Sequence, residues 1–489
     1  MKNAPLFFLL LLAVLLAAHL CHLDILWAEE TLPMAAAAQI LHGKTLYRDV
    51  WFDKPPLLAW TYLLWGAHDG FPVRLAGTLY VLLACYLIWR FARDLWGKRE
   101  ALWAANLLAF FLLFDIPSAV LPLAADLLML APHLAAVWLA CRGRAFWSGV
   151  LAGIAFLINA KGLFVLASCA IWDVRSLPLL LAGFAVPNAA AAGWMWIHGA
   201  LPEYYAQVWK WGRIYAGVTF VENPVRNGIV RTAHWLGYHA AIVLPALWFW
   251  MRDHKAGKKR WAAWAAISMA AVALGWRFFP RYYFQLLPVV VLASARGFTM
   301  LGRRRALAFA ALLLIPFLRF GPRYFLLAND LLQRRPHHWV DTAMDQDSRK
   351  AAFIAARLSK PGDTLFVWGF RPELYVYTGL PADSRFLDSQ PLTGVPADRH
   401  LTESRPVASE SIREHRAELA RSNPTLILDG LGPFNPHLAI TRFDDLRPWL
   451  SQYTPVATSG LTLIYRRIEA PVLAASPPGP ASRSLLEKR

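Results

Sequence analysis

Long apolar segments that recur along the first two thirds of the chain constrain its fold more than any other feature. From residue 4 to residue 320 such segments alternate with short polar or charged connections. A helix satisfies its own backbone hydrogen bonds and needs about 20 apolar residues to cross a bilayer. With 57% hydrophobic and only 17% charged residues over 489 positions, the chain is too apolar for an ordinary soluble protein. We therefore predict an all-α polytopic membrane bundle.

We expect about 11 transmembrane helices in this bundle. Their approximate ranges are 4–23, 71–92, 101–116, 123–140, 145–159, 161–173, 177–197, 234–251, 261–278, 282–300 and 306–320. Several are short for a span, so neighbouring segments can tilt or merge. Residues 55–67 are too few to span and are predicted to form a helix at the membrane surface. Residues 4–23 are interpreted as an uncleaved span, because no small-x-small cleavage site follows.

Positively charged residues cluster in alternate connections between the apolar segments. Such clusters stay on the cytoplasmic side, which predicts a multi-pass protein of the cell inner (plasma) membrane with a cytoplasmic N-terminus and a periplasmic, exterior C-terminal domain. The formal net charge of +18 is explained by topology, and nucleic acid is not expected as a partner, because the charges form no continuous stripe. The clusters are Arg90, Arg93, Lys98 and Arg99; Arg142 and Arg144; Arg252, Lys255, Lys258, Lys259 and Arg260; and Arg303, Arg304 and Arg305.

After residue 320 the chain changes character, and short helix-like and strand-like runs alternate. We predict a transmembrane domain over residues 1–320, an exterior soluble α/β domain over 321–469, and a disordered tail over 470–489 that is rich in Pro, Ala and Ser. Within the α/β domain, helices are expected at 349–358, 372–377 and 412–421, and strands at 364–368, 425–428, 452–458 and 461–467.

Ionisable residues lie beside the apolar segments on the predicted exterior side. Glu29 and Glu30 follow the first span, and Asp53 and Lys54 precede the second. Charged groups next to hydrocarbon are costly, so they are candidate functional residues by default. Asp126, between two apolar runs, is costly unless it is paired. The topology places all of these residues at one face of the membrane, which predicts a site there.

Lys161, Arg281 and Tyr282 reach the same face. A Lys or Arg at this depth can also serve as a snorkelling anchor. Tyr282 can equally belong to the aromatic belt at the membrane surface. Both readings stay open for each of these three residues.

Five segments occur in an order that is typical of one family of membrane enzymes. They are Trp27–Gly43 (WAEETLPMAAAAQILHG), LYRDVWFDKPPL with Asp53 and Lys54, LPLAADLL with Asp126, NAKG with Lys161, and RYYFQLLPVVVLA with Arg281 and Tyr282. This order resembles the GT-C fold membrane glycosyltransferases, especially the protein O-mannosyltransferase and aminoarabinose transferase group (glycosyltransferase family 39-like). The resemblance covers roughly the first 300 residues.

The resemblance implies an integral membrane hexosyl or pentosyl transferase. Such an enzyme moves a sugar from a polyprenyl-phosphate-sugar donor to an acceptor on the periplasmic face, and that acceptor can be a lipid, a glycan or a protein. Membrane lipids are the other expected partners. Two alternatives remain, a lipid-linked oligosaccharide ligase or polymerase and a polytopic lipid or sugar transporter. A transporter usually shows paired halves with interrupted spans, and we find no such internal symmetry.

The resemblance also implies roles for the candidate residues. The family usually has Asp-Glu in the first exterior loop, but counting back from Gly43 places Ala28 and Glu29 there. The catalytic general base is therefore Glu29, Glu30 or Asp24, with the Glu pair preferred, and a well-placed base contributes on the order of 100- to 10,000-fold.

The remaining candidate residues are expected to bind substrate. Lys54, Lys161 and Arg281 would stabilise the leaving phosphate. Asp53 would hold Lys54 or a sugar hydroxyl, and Asp126 would orient the acceptor or the sugar. We assign no metal ligand, although a divalent metal is possible, since related membrane glycosyltransferases differ in their metal dependence.

Overall fold

The computed structural model describes residues 4–172, 174–217, 222–253, 257–335, 342–395 and 410–468. Within these ranges the chain is mostly helical and carries one small sheet near its C-terminus. The predicted combination of an α-helical bundle with a later α/β part is therefore confirmed at this coarse level. The predicted disordered tail, 470–489, lies outside the described residues.

The first part of the chain is a bundle of helices joined by short connections. Its α-helices are Ala4–Leu20, Ala28–Leu41, Pro56–Tyr62, Phe71–Leu95, Lys98–Leu113, Pro117–Val120, Ala125–Leu128, Leu130–Cys141, Ala145–Ile158, Gly162–Ala170, Leu177–Ile197, Leu201–Tyr204, Trp211–Gly217, Pro224–Tyr238, Ala240–Arg252, Lys258–Ala273, Leu287–Met300, Arg303–Ala311 and Leu314–Leu332. A π-helical turn, Tyr205–Lys210, joins two of them, and 3-10 turns cover Leu63–Trp65, Val174–Ser176 and Pro280–Gln285.

Few of these helices meet a strict length test for a membrane span. Among the described residues, Phe71–Leu95 and Val174–Ile197 are long and apolar enough, and the bent pair Arg303–Ala311 and Leu314–Leu332 makes a third if it counts as one span. Shorter apolar helices occupy several of the other predicted positions. The total of about 11 spans therefore stays a prediction.

Some predicted spans are interrupted. The segment 123–140 breaks at Met129. The segment 234–251 is divided at His239, so that its first residues end the helix Pro224–Tyr238. Apolar composition does not reveal such breaks, because the residues on both sides remain buried in the same bundle.

Glycines bring one pair of helices, Ala145–Ile158 and Leu177–Ile197, into close contact. A Cβ atom added at Gly149 would lie 2.0 Å from the Leu180 carbonyl oxygen, and one added at Gly183 would lie 1.9 Å from the Phe146 carbonyl oxygen. Small residues allow this approach of backbones in membrane bundles. This packing positions the end of the helix Ala145–Ile158, which lies shortly before Lys161.

The C-terminal unit, described over residues 342–395 and 410–468, contains a four-stranded sheet with the order β1-β2-β4-β3. Its strands are β1 (Leu365–Trp368), β2 (Leu426–Asp429), β3 (Tyr453–Thr458) and β4 (Leu463–Arg467). The β1 and β2 strands are parallel and fully buried, as expected for short apolar runs between helices, whereas β4 is antiparallel to both β2 and β3. All four predicted strands are confirmed, with ends shifted by at most two residues.

Three of the five helices of this unit correspond to predicted ones, and Gln390–Thr393 and Arg447–Leu450 were not predicted. The helices are Ala343–Leu358, Glu373–Thr378, Gln390–Thr393, Glu410–Leu419 and Arg447–Leu450, with 3-10 turns at Pro436–Leu438, Ile440–Arg442 and Asp444–Leu446. The helix predicted at 349–358 begins earlier, at Ala343. Its first turns are polar, so apolar periodicity alone misses them.

The C-terminal unit docks on the helix Ala28–Leu41 and on the loop that follows this helix. The Gln39 side chain accepts a hydrogen bond from the Ala382 amide at 2.7 Å, and the Trp51 amide donates to the Arg385 carbonyl oxygen at 2.7 Å. Arg385 also forms an ion pair with Glu203 at 2.8 Å. Backbone groups of both parts are thus satisfied across this contact, which positions the loop for the site described next.

Candidate functional site

One cavity of about 640 Å³ lies between the bundle and the C-terminal unit. It brings together seven of the eight residues singled out from the sequence. These are Glu29, Asp53, Lys54, Asp126, Lys161, Arg281 and Tyr282. They come from five separate stretches of the chain, so folding has placed them together at a cavity large enough for a small ligand.

Acids and cations alternate along one wall of the cavity. Arg281 Nη1 donates to Glu29 Oε1 at 2.8 Å, and Arg281 Nε lies 3.8 Å from Asp126 Oδ2. Lys161 Nζ donates to the other Asp126 oxygen at 3.3 Å. Asp126 is therefore shared by two cations and held in place, while Glu29 and Arg281 stay about a quarter exposed. This arrangement keeps both charge types at the cavity surface.

Tyr282 forms the floor beneath Lys161, whose Nζ atom lies 3.1 Å from the ring centre. A cation over an aromatic face is stabilised by the ring electrons. Arg281 and Tyr282 are consecutive residues of the 3-10 turn Pro280–Gln285, which begins at a proline. The turn presents both side chains to the same wall.

Asp53 and Lys54 lie on another side of the cavity and form an ion pair of 2.8 Å. Their loop is held by Gln207, which accepts a hydrogen bond from the Phe52 amide at 2.9 Å. Pro55 and Pro56 begin the next helix, a position where proline costs no hydrogen bond. Burial lowers the pKa of the Lys54 ammonium, but the charge and hydrogen bond of Asp53 together with Tyr215 outweigh burial, so that this pKa lies above its ordinary value.

Glu30, the eighth candidate, is not a lining residue of this cavity. It is fully buried and paired with the equally buried Arg74 through both carboxylate oxygens. Its Oε1 atom also accepts the Trp27 amide at 3.0 Å, while Arg74 donates to the Ile25 carbonyl oxygen at 2.8 Å. Glu30 thus ties down the start of the helix Ala28–Leu41, and it does so one residue away from Glu29.

Several lining residues were not singled out from the sequence. The segment Leu201–Gly217 supplies Trp209, Trp211, Arg213 and Tyr215, and Arg277 stacks on the Tyr215 ring at 3.6 Å. This segment has no motif, and its apolar run is too short to resemble a span. The available signal was the density of aromatic residues, two Trp and three Tyr between residues 204 and 215.

The C-terminal unit also contributes to the cavity, through Phe370, Asp388, Gln390 and Pro391. Burial raises the pKa of the Asp388 carboxyl to about 7, and the nearby Asp53 charge acts in the same direction. No sequence pattern marks Asp388, because it follows a short buried loop rather than a strand or a motif. Its place beside Asp53 exists only in the folded chain.

Metal ligation gives no further candidate in the described part of the chain. No group of three or more His, Cys, Asp or Glu side chains there is arranged to hold a metal ion. Carboxylates and cations both line the cavity. Such a lining suits a ligand that carries an anionic group and hydroxyls.

Comparisons with known proteins agree with this architecture. Residues 53–182 match the family described as dolichyl-phosphate-mannose-protein mannosyltransferase. ArnT from Cupriavidus metallidurans bound to undecaprenyl phosphate is similar in structure, with a TM-score of 0.62, 16% identity, and coverage of 95% of this chain and 98% of that one. Its apo state gives a TM-score of 0.57, 15% identity and the same coverage. No curated protein sequence matches.

The resemblance predicted from the sequence is thereby confirmed. The ArnT-like GT-C fold extends over nearly the whole chain, including the C-terminal unit, whereas the motifs covered only its first part. The family match over residues 53–182 begins at Asp53 and includes Lys54, Asp126 and Lys161. The predicted enzyme class, a glycosyltransferase, agrees with the description of the family that matches residues 53–182.

Proposed function

We propose that this GT-C glycosyltransferase moves a sugar from a polyprenyl-phosphate donor to a hydroxyl-bearing acceptor at the periplasmic face of the inner membrane. One observation carries the proposal: a carboxylate, Glu29, and three cations, Lys54, Lys161 and Arg281, line one cavity. Sugar transfer from a phosphate needs a base for the acceptor and positive charge for the leaving group, and this cavity contains both.

The cations supply the phosphate site. Lys161 and Arg281 are already held by Asp126, so they need little reorganisation to receive an anion. Lys54 approaches from the other side of the cavity, next to Tyr215. The similar ArnT structure contains undecaprenyl phosphate, which supports a lipid phosphate as the donor's anionic part here.

In the transfer step, the acceptor oxygen forms a bond to the anomeric carbon while the bond from that carbon to the phosphate oxygen breaks. The acceptor proton passes to Glu29, and the electron pair of the broken bond stays on the polyprenyl phosphate. Without substrate, Arg281 Nη1 donates to Glu29 Oε1 at 2.8 Å and occupies that oxygen of the base. A bound phosphate competes for Arg281, so donor binding itself releases the base.

Glu29 is assigned as the base in preference to Glu30. Glu30 has no exposed surface, and its oxygens are occupied by Arg74 and the Trp27 amide. Removing such a buried partner leaves an uncompensated charge, which affects folding before it affects chemistry. Asp24 does not line the cavity.

Asp53, Asp126 and Tyr282 complete the substrate site. We assign Asp126 to holding Lys161 and Arg281 in position, and Tyr282 to supporting Lys161. Asp53 sets the position of Lys54. The snorkelling and aromatic-belt readings of Lys161, Arg281 and Tyr282 are less favoured, because these residues line the cavity, where both cations pair with Asp126 and Lys161 lies over the Tyr282 ring.

The proposed topology has about 11 spans, with the N-terminus in the cytoplasm and the catalytic cavity outside. The basic clusters of the connections support this orientation. Residues 1–320 would form the catalytic domain and 321–469 the exterior domain, which contributes Phe370, Asp388, Gln390 and Pro391 to the cavity lining. The acceptor would then enter from the periplasm, and the donor from the outer leaflet.

The test is transfer by the purified protein from a panel of labelled polyprenyl-phosphate sugars, with a cell-envelope extract as acceptor and with or without divalent metal. We expect turnover of one donor, lowered on the order of 100-fold or more by Glu29→Gln. Asp94→Asn is the matched control, because Asp94 pairs with Arg142 at 3.0 Å outside the cavity. Turnover only of diphosphate-linked oligosaccharides would replace the proposal with the ligase alternative.

A further inference from the structure

The C-terminal unit places one carboxyl group inside the cavity, that of Asp388. The residue is only 5% exposed. Its Oδ1 atom accepts the Gln390 amide at 2.8 Å. The neighbouring Ser389 hydroxyl accepts the Gly369 amide at 2.9 Å, which ties this segment to the end of β1. Asp388 is therefore presented on a rigid segment and not on a loose loop.

Asp388 accepts one hydrogen bond, from the Gln390 amide to Oδ1, and its Oδ2 atom has no hydrogen-bond or ion-pair partner among the described residues. Oδ2 is not one of the enclosed polar atoms that lack a partner, so it is open to the cavity that Asp388 lines. Asp53 and Lys54 line the same cavity. An unpaired carboxylate oxygen that faces a cavity can accept a hydrogen bond from a bound ligand, which indicates a binding role.

The surroundings of Asp388 select the kind of ligand group. A carboxylate repels a phosphate, and Lys54, a cation of the same cavity, is already paired with Asp53 at 2.8 Å. Gln390 supplies an amide, and Phe370 and Trp51 supply aromatic surface. Carboxyl and amide groups beside aromatic rings suit a neutral ligand with many hydroxyls, which is a sugar, whereas Lys161 and Arg281 suit the phosphate.

We propose that Asp388 is a substrate-binding residue that hydrogen-bonds a sugar hydroxyl through its free oxygen. This inference rests on the proposed function, because it takes the transferred or accepting sugar to occupy this cavity. The C-terminal unit then forms part of the binding site. The hydroxyl belongs either to the donor's sugar or to a saccharide acceptor, and the two sources give different kinetics.

The test compares wild type with Asp388→Asn in two assays on the donor that wild type uses. One assay measures transfer to the acceptor extract, and the other measures hydrolysis of the donor without acceptor. We expect kcat/KM for transfer to fall on the order of 10- to 100-fold. An equal fall in hydrolysis assigns the hydroxyl to the donor's sugar, and unchanged hydrolysis assigns it to the acceptor.

Asp429→Asn is the matched control. Asp429 is also a buried acid of the C-terminal unit, but its Oδ1 atom accepts the Leu431 and Gly432 amides, and it does not line the cavity. Transfer by Asp388→Asn within twofold of wild type overturns the inference and leaves the proposed function standing. A wild type that uses no polyprenyl-phosphate sugar overturns both. If Asp388→Asn fails to fold, Asp388→Ser takes its place.

Discussion

Arg281 Nη1 lies 2.8 Å from Glu29 Oε1, although 252 residues separate the two side chains in sequence. The pair joins the helix after the first apolar segment to the turn before the helix Leu287–Met300. It also couples the group that we assign to phosphate binding with the group that we assign as base. Substitutions of the two should therefore be strongly non-additive.

The double-mutant cycle of Glu29→Gln and Arg281→Ala measures this coupling. Each single variant should lose most of the transfer activity, and the double variant should be little worse than the poorer single one, because both act in one step. Donor concentration series separate the two effects, since Arg281→Ala should raise KM more than Glu29→Gln does. Simple addition of the two losses would show that the pair does not act as a unit.

Lys54 should be needed for donor use and not for folding. Lys54→Ala removes a cation from the cavity, and we expect kcat/KM to fall on the order of 100-fold with a nearly unchanged melting temperature. Lys54→Arg should recover part of the activity. The exposed Lys350 of the C-terminal unit provides the control, Lys350→Ala, which should have wild-type kinetics. Unchanged turnover in Lys54→Ala would remove this residue from the site.

Glu30 and Arg74 should contribute to the stability of the fold more than to catalysis. Breaking a buried ion pair by removing one partner costs about 3–5 kcal/mol. Arg74→Met and Glu30→Gln should both lower the melting temperature in detergent, whereas Glu29→Gln should not. A stable, folded Glu30→Gln protein without activity would instead make Glu30 the base.

Buried acids of the C-terminal unit should make its stability depend on pH. Burial raises the pKa of Asp388 to about 7 and that of Asp345 and Asp429 to about 6. The folded state then binds more protons than the unfolded chain between about pH 4 and 7, so stability falls as pH rises through this range. Each unit of pKa shift is worth about 1.4 kcal/mol.

Asp388→Asn tests the sign of this effect. The variant should melt higher than wild type at pH 8 and close to it at pH 5, because Asn carries no charge to bury. Thermal melts at both pH values, monitored by tryptophan fluorescence, measure the difference. A variant that melts lower than wild type at pH 8 would contradict a raised pKa for Asp388.

The glycine contact between helices gives a test of the bundle. Gly183→Ala would place a Cβ atom 1.9 Å from the Phe146 carbonyl oxygen, so the two helices must separate. We expect a loss of a few kcal/mol and a lower yield of folded protein. Gly193→Ala lies in the same helix and meets nothing within 4 Å, so it should be neutral or slightly stabilising. Equal melting temperatures for the two variants would contradict this packing.

Much of the fold could be predicted because it depends on local patterns. The strands Leu365–Trp368 and Leu426–Asp429 are short apolar runs bounded by polar residues, and the sequence marks them to within two residues. Helix breaks at Met129 and His239 were not predicted. They follow from packing against distant helices, which leaves no periodic signal in the local sequence.

Only part of the candidate site could be predicted, for a similar reason. Glu29, Asp53, Lys54 and the other motif residues were found because charges beside apolar runs are rare and costly. Asp388 and Tyr215 were missed, since neither lies in a motif and each reaches the cavity through an element that packs from elsewhere. Such residues can be identified as candidates only from the folded structure, where they line the cavity.

The sequence by itself determined the membrane class, the order of the charged motifs and the strands of the C-terminal unit, because burial cost and hydrophobic periodicity act along the chain. Only the tertiary structure decided which member of the Glu29–Glu30 pair faces the cavity. Successive helical residues point about 100° apart, and Arg74, from the helix Phe71–Leu95, binds one of them and leaves the other to Arg281. The same folding brought Asp388 into the cavity that Asp53 lines, a proximity that no local pattern encodes.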